Sequence, residues 1–493
     1  MRADNNPGMR LTEETLPELE SSPRVSRMLA WTFAAVMAAT VCYSLVRLPL
    51  QVTDSLVPML DAQNIPSVAA AVRSGASSSG YFRPLRAAQI QALFELSHGR
   101  YFLAFKGFHV AVVATVFALF VLVLDVSALV RVAALLFALT VLTGLHTFRG
   151  TVWEAYPVNH SLEVVAFCLL ALVLCRSKGG WWVDLSASLT FLAATFTVES
   201  GLLVWVVIAA AWLTGARGVS ARGLAVVTLF LAAYLYLRFG YLATGLPALS
   251  ERSSGFGLRQ LDPDELIRRF GAWPYGFYAY NVACSILTVL FSEPRAGIWT
   301  IPAELAQGRV AAGTIINVVS STVTTLLIGW FVASRNRMWR RLRFDRDDQI
   351  VAVALAVIAA NAVISYGYTK DEIMGPAGVF YSLAAFVAVV AVARRAGELV
   401  RVRHTQVVAL GLALAVISSG WVVRAVGLHY QMHLMTFYDR NEWVYVDDWL
   451  LNQRSAPTTE AGRQLVKKLR EDALEHAAVN PYLLSPRLEQ WFR

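Results

Sequence analysis

The sequence places ionisable side chains where their charge is costly. Asp54 lies in "LPLQVTDSLVPMLD", 48–61, at the exit of an apolar run, and Glu154, His160, Glu163 and Glu199 fall at the ends of later runs. A charge near the bilayer centre costs about 3 kcal/mol, so such groups mark either function or an internal ion pair. A carboxylate held there can take a proton from a hydroxyl. A guanidinium presents a fork of donors to an anion, and Arg83 in "YFRPL", 81–85, has its backbone stiffened by Pro84, with Lys106 and Arg149 as further cations. Each group also has a plain structural reading. Asp54 suits a solvated loop, Arg83 a structural loop arginine, Glu163 and Glu199 a helix cap or ion pair, and His109 and His146 hydrogen-bonded packing. Asp54, His146, Glu154 and His160 could together hold a divalent metal, but their spacing carries no ligand signature, and no metal is expected.

Positioning these groups falls to membrane helices. Of 493 residues, 56% are hydrophobic and 16% charged, and the mean hydropathy of +0.51 excludes a soluble domain of this length. Eleven apolar stretches look able to cross: 29–48, 108–124, 132–145, 162–174, 181–198, 201–213, 223–238, 311–333, 350–367, 377–393 and 406–423. Several fall short of the roughly 20 residues a span needs, so neighbouring helices must shield their polar flanks. The net charge of +9 comes largely from short basic connectors at Arg131, Arg176 with Lys178, Arg217 with Arg222, Arg335 to Arg346, and Arg394 to Arg403. Such connectors orient helices with the basic side inward; no nucleic-acid motif accompanies them. Counting from a cytoplasmic tail at 1–27, the external segments are 49–107, 146–160, 240–310, 367–376 and a C-terminal part, 426–493. The run 272–291 breaks this parity and is read as re-entrant or as lying at the outer interface, where Trp273, Tyr275, Tyr278 and Tyr280 would serve as anchors or line a greasy groove. "LDPDELIRRF", 261–270, reads as an amphipathic helix with Asp262 as its N-cap. "HYQMHLMTFYDRNEWVYVDDWLLNQ", 429–453, is rich in aromatic and acidic residues that suit sugar or peptide contact. Cys42, Cys168, Cys175 and Cys284 have no CxxC spacing and read as buried small residues.

Asp54 just past the first run, followed by the "YFRPL" box, resembles the GT-C superfamily of membrane glycosyltransferases, in particular the protein O-mannosyltransferase branch and its relatives bearing tetratricopeptide repeats. "KGFHVAVVATVFAL", 106–119, "HTFRGTVWEAYPVNHSLEVVAF", 146–167, "FTVES", 196–200, and "YGYTKDEIMGPAG", 366–378, are similar in order to later features of that superfamily. The pattern departs from it where a single Asp54 is followed by Ser55, where Val198 precedes Glu199, and beyond about 424, where no repeats follow.

The resemblance implies an all-α polytopic fold, GT-C-like, with about 11 transmembrane helices and short helices in the external loops. It implies transfer of a sugar from a polyprenyl-phosphate donor to a protein, lipid or glycan acceptor, on the outer face of a bacterial inner membrane. Asp54 would be the base, and Arg83, Lys106 and Arg149 would hold the donor phosphate. Tyr81, His109, Glu154, His160, Glu163, Glu199, Asp371 and Glu372 would line the pocket, with no cofactor and no nucleic acid. The competing classes are a transporter or flippase of lipid-linked glycans, a polymerase or ligase of them, and a catalytically silent GT-C scaffold. On the favoured reading Asp54, Arg83 and Glu199 converge on one external pocket.

Overall fold

The chain is seen in a computed structural model that describes residues 22–77, 81–154, 157–242, 261–291, 300–367, 369, 372–399, 404–453, 456–483 and 485. Most of the tail expected at 1–27, and Asp371, lie outside the described residues. The fold is all-helical. Its helices are α1 (Pro23–Leu45), α2 (Val52–Asn64), α3 (Val68–Ser77), α4 (Pro84–Ser97), α5 (Tyr101–Val123), α6 (Leu129–Thr143), α7 (His146–Trp153) and α8 (His160–Cys175). There follow α9 (Trp181–Thr197), α10 (Leu203–Leu213) behind a 3-10 turn (Glu199–Leu202), and α11 (Ala221–Leu235), which runs into a π turn (Tyr236–Tyr241). The remainder are α12 (Pro263–Phe270), α13 (Tyr275–Phe291), α14 (Thr300–Ala306), α15 (Ala312–Trp339), α16 (Arg346–Ile364), α17 (Gly375–Leu399), α18 (His404–Val444), α19 (Val446–Asn452) and α20 (Glu460–His476).

All eleven apolar stretches are helical, and local chemistry sets several starts. The Ser22 side chain caps α1 ahead of Pro23, Asn159 caps α8, and Asp345 and Asp348 form a reciprocal box at the start of α16. Among the described residues, seven helices are long and apolar enough to cross a membrane, or eight if α6 and α7, bent by 61°, are one span. α8, the segment Glu199–Leu213 and α13 are apolar but shorter. The external loop expected at 49–107 is filled by α2, α3, α4 and the first turns of α5, which begins at Tyr101 and so carries Lys106 inside it.

Contacts sort the helix ends into two sets. One is basic: Arg131 on α6 and Arg394 on α17 both pair with Asp347 on α16 (3.1 and 3.5 Å), and Arg176, after α8, donates to the Arg346 carbonyl. The opposite end gathers the termini of α1, α4, α7, α8, α11 and α18. Through the centre runs α17, almost wholly buried and packed against α6, α7, α8, α15 and α16. Gly375 and Gly378 let α17 approach α7, since a Cβ at either would collide with Thr151 or Thr147. The run 272–291 forms α13, packed against α15, α16 and α17.

The polar C-terminal part is continuous with the bundle, because α18 is a single helix of 41 residues that passes through the boundary expected at 425. At 1.5 Å per residue it is about 60 Å long, twice the hydrocarbon thickness. Its far end meets α2, α4, α19 and α20 in a second apolar cluster that includes Leu56, Met59, Trp443, Leu450, Leu465 and Leu469. Trp443 Nε1 donates to the Leu50 carbonyl at 2.6 Å, so residues from opposite ends of the chain share one core.

Candidate functional site

Three charged side chains from three elements meet at the end opposite the basic connectors. Arg83 is the residue before α4, and its Nη2 and Nε donate to Glu199 Oε2 at 2.6 and 3.1 Å. Arg238 approaches the other oxygen at 3.3 Å and donates to the Tyr234 hydroxyl at 3.2 Å. The π turn that ends α11 carries Arg238; such turns widen the helix by one residue per turn and recur at functional sites. The Tyr81 ring lies 4.2 Å under the Arg83 guanidinium, and Phe82 packs edge-on against Phe196 and Tyr234. Glu199 is thus paired with two arginines, the arrangement its ion-pair reading describes.

A second group lies next to it and is less satisfied. α4 contributes Gln89, whose Nε2 donates to Glu163 Oε1 at 2.7 Å, while Glu163 Oε2 is buried with no hydrogen-bond partner among the described residues. His160 Nε2 lies 3.7 Å from Glu154 Oε1, and Arg86 and Arg83 are within electrostatic reach of His160. Asn159 locks this corner by capping Leu162 and donating to the Thr151 carbonyl at 2.7 Å. On α5, Lys106 is 2% exposed and His109 fully buried; neither the Lys106 ammonium nor either ring nitrogen of His109 has a side-chain partner, and Lys106 is within electrostatic reach of the Asp439 carboxylate without an ion pair to it among the described residues. Asp439 is itself buried on α18 and accepts from Trp153 Nε1 at 3.3 Å. Leaving such groups unpaired costs about 1–3 kcal/mol each, and more for a charge, unless water or a ligand completes them.

Asp54 lies outside the Arg83–Glu199–Arg238 group and reaches the second through Glu442, which is within electrostatic reach of both Asp54 and Asp439. In α2 the buried face belongs to Val52, Ser55, Leu56, Met59 and Ala62, which turns Asp54 outward, so it is exposed rather than desolvated. Its charged neighbour is another carboxylate, Glu442. Arg83 and Glu199 therefore converge as expected, and Asp54 does not join them among the described contacts. Arg149 is drawn to α18, where Nη1 donates to Gln431 Oε1 at 2.5 Å, and His146 is buried nearby. The Glu372 carbonyl accepts from Thr151 Oγ1 at 3.1 Å. Among the described residues no group of three or more His, Cys, Asp or Glu is arranged to hold a metal ion.

Four participants are absent from the sequence-based set: Arg86, Gln89, Arg238 and Asp439. Arg86 and Gln89 sit just past the "YFRPL" box, in "SSSGYFRPLRAAQ", 77–89, and Asp439 in the aromatic, acidic stretch 429–453. Arg238 was counted as the end of an apolar run. Comparisons with known protein families, with curated proteins and with solved structures found no match to this chain.

Proposed function

We propose that the chain is a GT-C-like membrane glycosyltransferase with about eleven crossings, the basic end cytoplasmic and the opposite end facing outward from a bacterial inner membrane. It takes a sugar from a polyprenyl-phosphate donor and passes it to a hydroxyl acceptor. The supporting observation is the set of buried ionisable groups left open at one end, with the Lys106 ammonium and the Asp439 carboxylate within electrostatic reach of each other and no ion pair between them among the described residues. In this reading Lys106 offsets the charge that develops on the departing phosphate. Asp439, oriented by Trp153, removes the proton of the acceptor hydroxyl, the role the sequence alone gave to Asp54. Arg83, Glu199 and Arg238 hold the walls, and Glu154, His160, Glu163 and Gln89 meet the sugar hydroxyls. The donor's tail stays in lipid while its head enters this end.

The test is transfer from a labelled polyprenyl-phosphate sugar by the full chain in sealed membrane vesicles, which also supply the acceptor. Asp439→Asn and Lys106→Met should each lose about 10²-fold or more, and Asp54→Asn far less. Loss on Asp54→Asn with wild-type transfer by Asp439→Asn overturns the assignment of the base. Asp54's exposure favours a second reading, a silent scaffold of the same fold. Donor binding without transfer by the wild-type chain selects it.

A further inference from the structure

We propose that the turn joining α15 to α16 docks onto anionic phospholipid headgroups of the bilayer leaflet at the basic end. This contact is independent of sugar transfer.

The fold leaves the charge of this turn uncompensated. Elsewhere at the basic end Arg131 and Arg394 pair with Asp347, and Arg335 pairs with Asp345 and Asp348. Arg337, Arg340, Arg341 and Arg343 are exposed, and none of them has a carboxylate partner among the described residues. Arg340 Nε donates to the neutral Asn336 Oδ1 at 3.1 Å, which leaves its charge in place. Basic residues beside a span attract anionic lipid, and the attraction adds up over neighbouring positions.

Leu342 is a second, independent observation. The Arg343 N–H donates to the Met338 carbonyl and the Leu342 N–H to the Trp339 carbonyl, at 3.0 and 2.9 Å, the pair of bonds that closes a helix in a Schellman motif. That motif puts one residue in the left-handed region, a place glycine fills at least cost. Here it is Leu342, with φ of 53° and a side chain 80% exposed. A leucine there strains the backbone and meets water, so the fold gains nothing from it. It becomes favourable once acyl chains cover it. Met338, 38% exposed and four residues earlier, offers a second apolar side chain.

The turn also stands at the right depth. α16 is a candidate span of 19 residues, about 28 Å long, so it only just crosses the hydrocarbon and its start marks the leaflet edge. Arg335 Nη2 and Nε reach Asp345 Oδ2 and Asp348 Oδ1 at 2.5 and 3.2 Å, which sets Arg335 level with that start. From there α15 continues four residues to Trp339, about 6 Å. The headgroup layer is about 5–8 Å deep on each side. The arginines and Leu342 therefore lie among headgroups. A soluble anion would meet the arginines and leave Leu342 in water, whereas a phospholipid serves both.

The experiment measures how fast an uncharged maleimide labels Leu342→Cys in the full chain, with the wild-type chain as background. The chain is placed in nanodiscs of phosphatidylcholine alone, or of phosphatidylcholine and phosphatidylglycerol in equal parts. Phosphatidylglycerol should slow labelling about tenfold, the factor that 1.4 kcal/mol of burial gives. Molar salt, which cuts the screening length to about 3 Å, should restore it. Adding Arg340→Gln and Arg341→Gln should remove most of the protection, since each arginine near the surface contributes about fivefold. Where Leu342→Cys fails to fold, Met338→Cys gives the same comparison. Equal labelling in the two kinds of disc overturns the docking, and protection that survives loss of the two arginines overturns their role. Protection by inorganic phosphate in phosphatidylcholine discs assigns the turn to a soluble anion and overturns the lipid.

Discussion

The two ends of the helix bundle treat their charges in opposite ways. At the basic end nearly every carboxylate has a job that closes the structure. Asp347 pairs with both Arg131 and Arg394, Asp345 caps α16 and pairs with Arg335, and Asp184 accepts from the Ser220 backbone and hydroxyl at 2.8 and 2.6 Å. At the opposite end charges are pulled inside, and some are left open: Lys106 and Glu163 keep buried polar atoms without hydrogen-bond partners among the described residues. Matched surface charges orient and seal helix termini. Buried unmatched ones destabilise the fold and persist where a ligand completes them.

The contrast can be broken most forcefully at Glu199. Glu199→Gln removes the negative charge that the adjacent Arg83 and Arg238 share, and should cost about 3–5 kcal/mol, read as early loss of the monomeric peak on size exclusion after heating. Lys106→Met should do the reverse for stability: with no partner to orphan, an isosteric apolar group should keep or raise the melting temperature while transfer falls. A drop in stability comparable to that of Glu199→Gln would mean Lys106 is a structural ion, and the contrast between the ends would fail. Gly375→Ala should cost about 1–3 kcal/mol through collision with Thr151, with partial rescue by Thr151→Ala, which removes the hydroxyl oxygen that the new Cβ would strike. The smallest effect belongs to the basic end, where Arg395→Gln removes an exposed pair with Glu398 and should change stability by less than about 1 kcal/mol.

Helix positions were legible because a long apolar run in lipid has no alternative to a helix. The grouping of Arg131, Arg176, Arg335 and Arg394 at one end was legible too, since parity along a chain of spans leaves little freedom. The site was legible only in part. Arg83, Lys106, Glu163 and Glu199 were found as charges at helix ends, but their pairing was not, because Arg83 and Glu199 meet across 116 positions of sequence. Arg238 was hidden by a π turn, which shifts a side chain round the helix in a way no periodicity records. Asp54 pointed outward because Val52, Ser55 and Leu56 took the buried face of α2.

Composition and hydropathy alone determined that this is a helical membrane protein, and the placing of its basic residues determined which helix ends lie together. Both follow from the cost of putting backbone amides and charges in hydrocarbon, which acts on each segment separately. Only the tertiary structure decided which charges were neutralised and which were left open. It set Glu199 between two arginines, Lys106 within electrostatic reach of Asp439, and Arg424 over Trp421 at the wall of a cleft. Those outcomes depend on distances between helices remote in sequence, and a charge changes its meaning over a few ångströms.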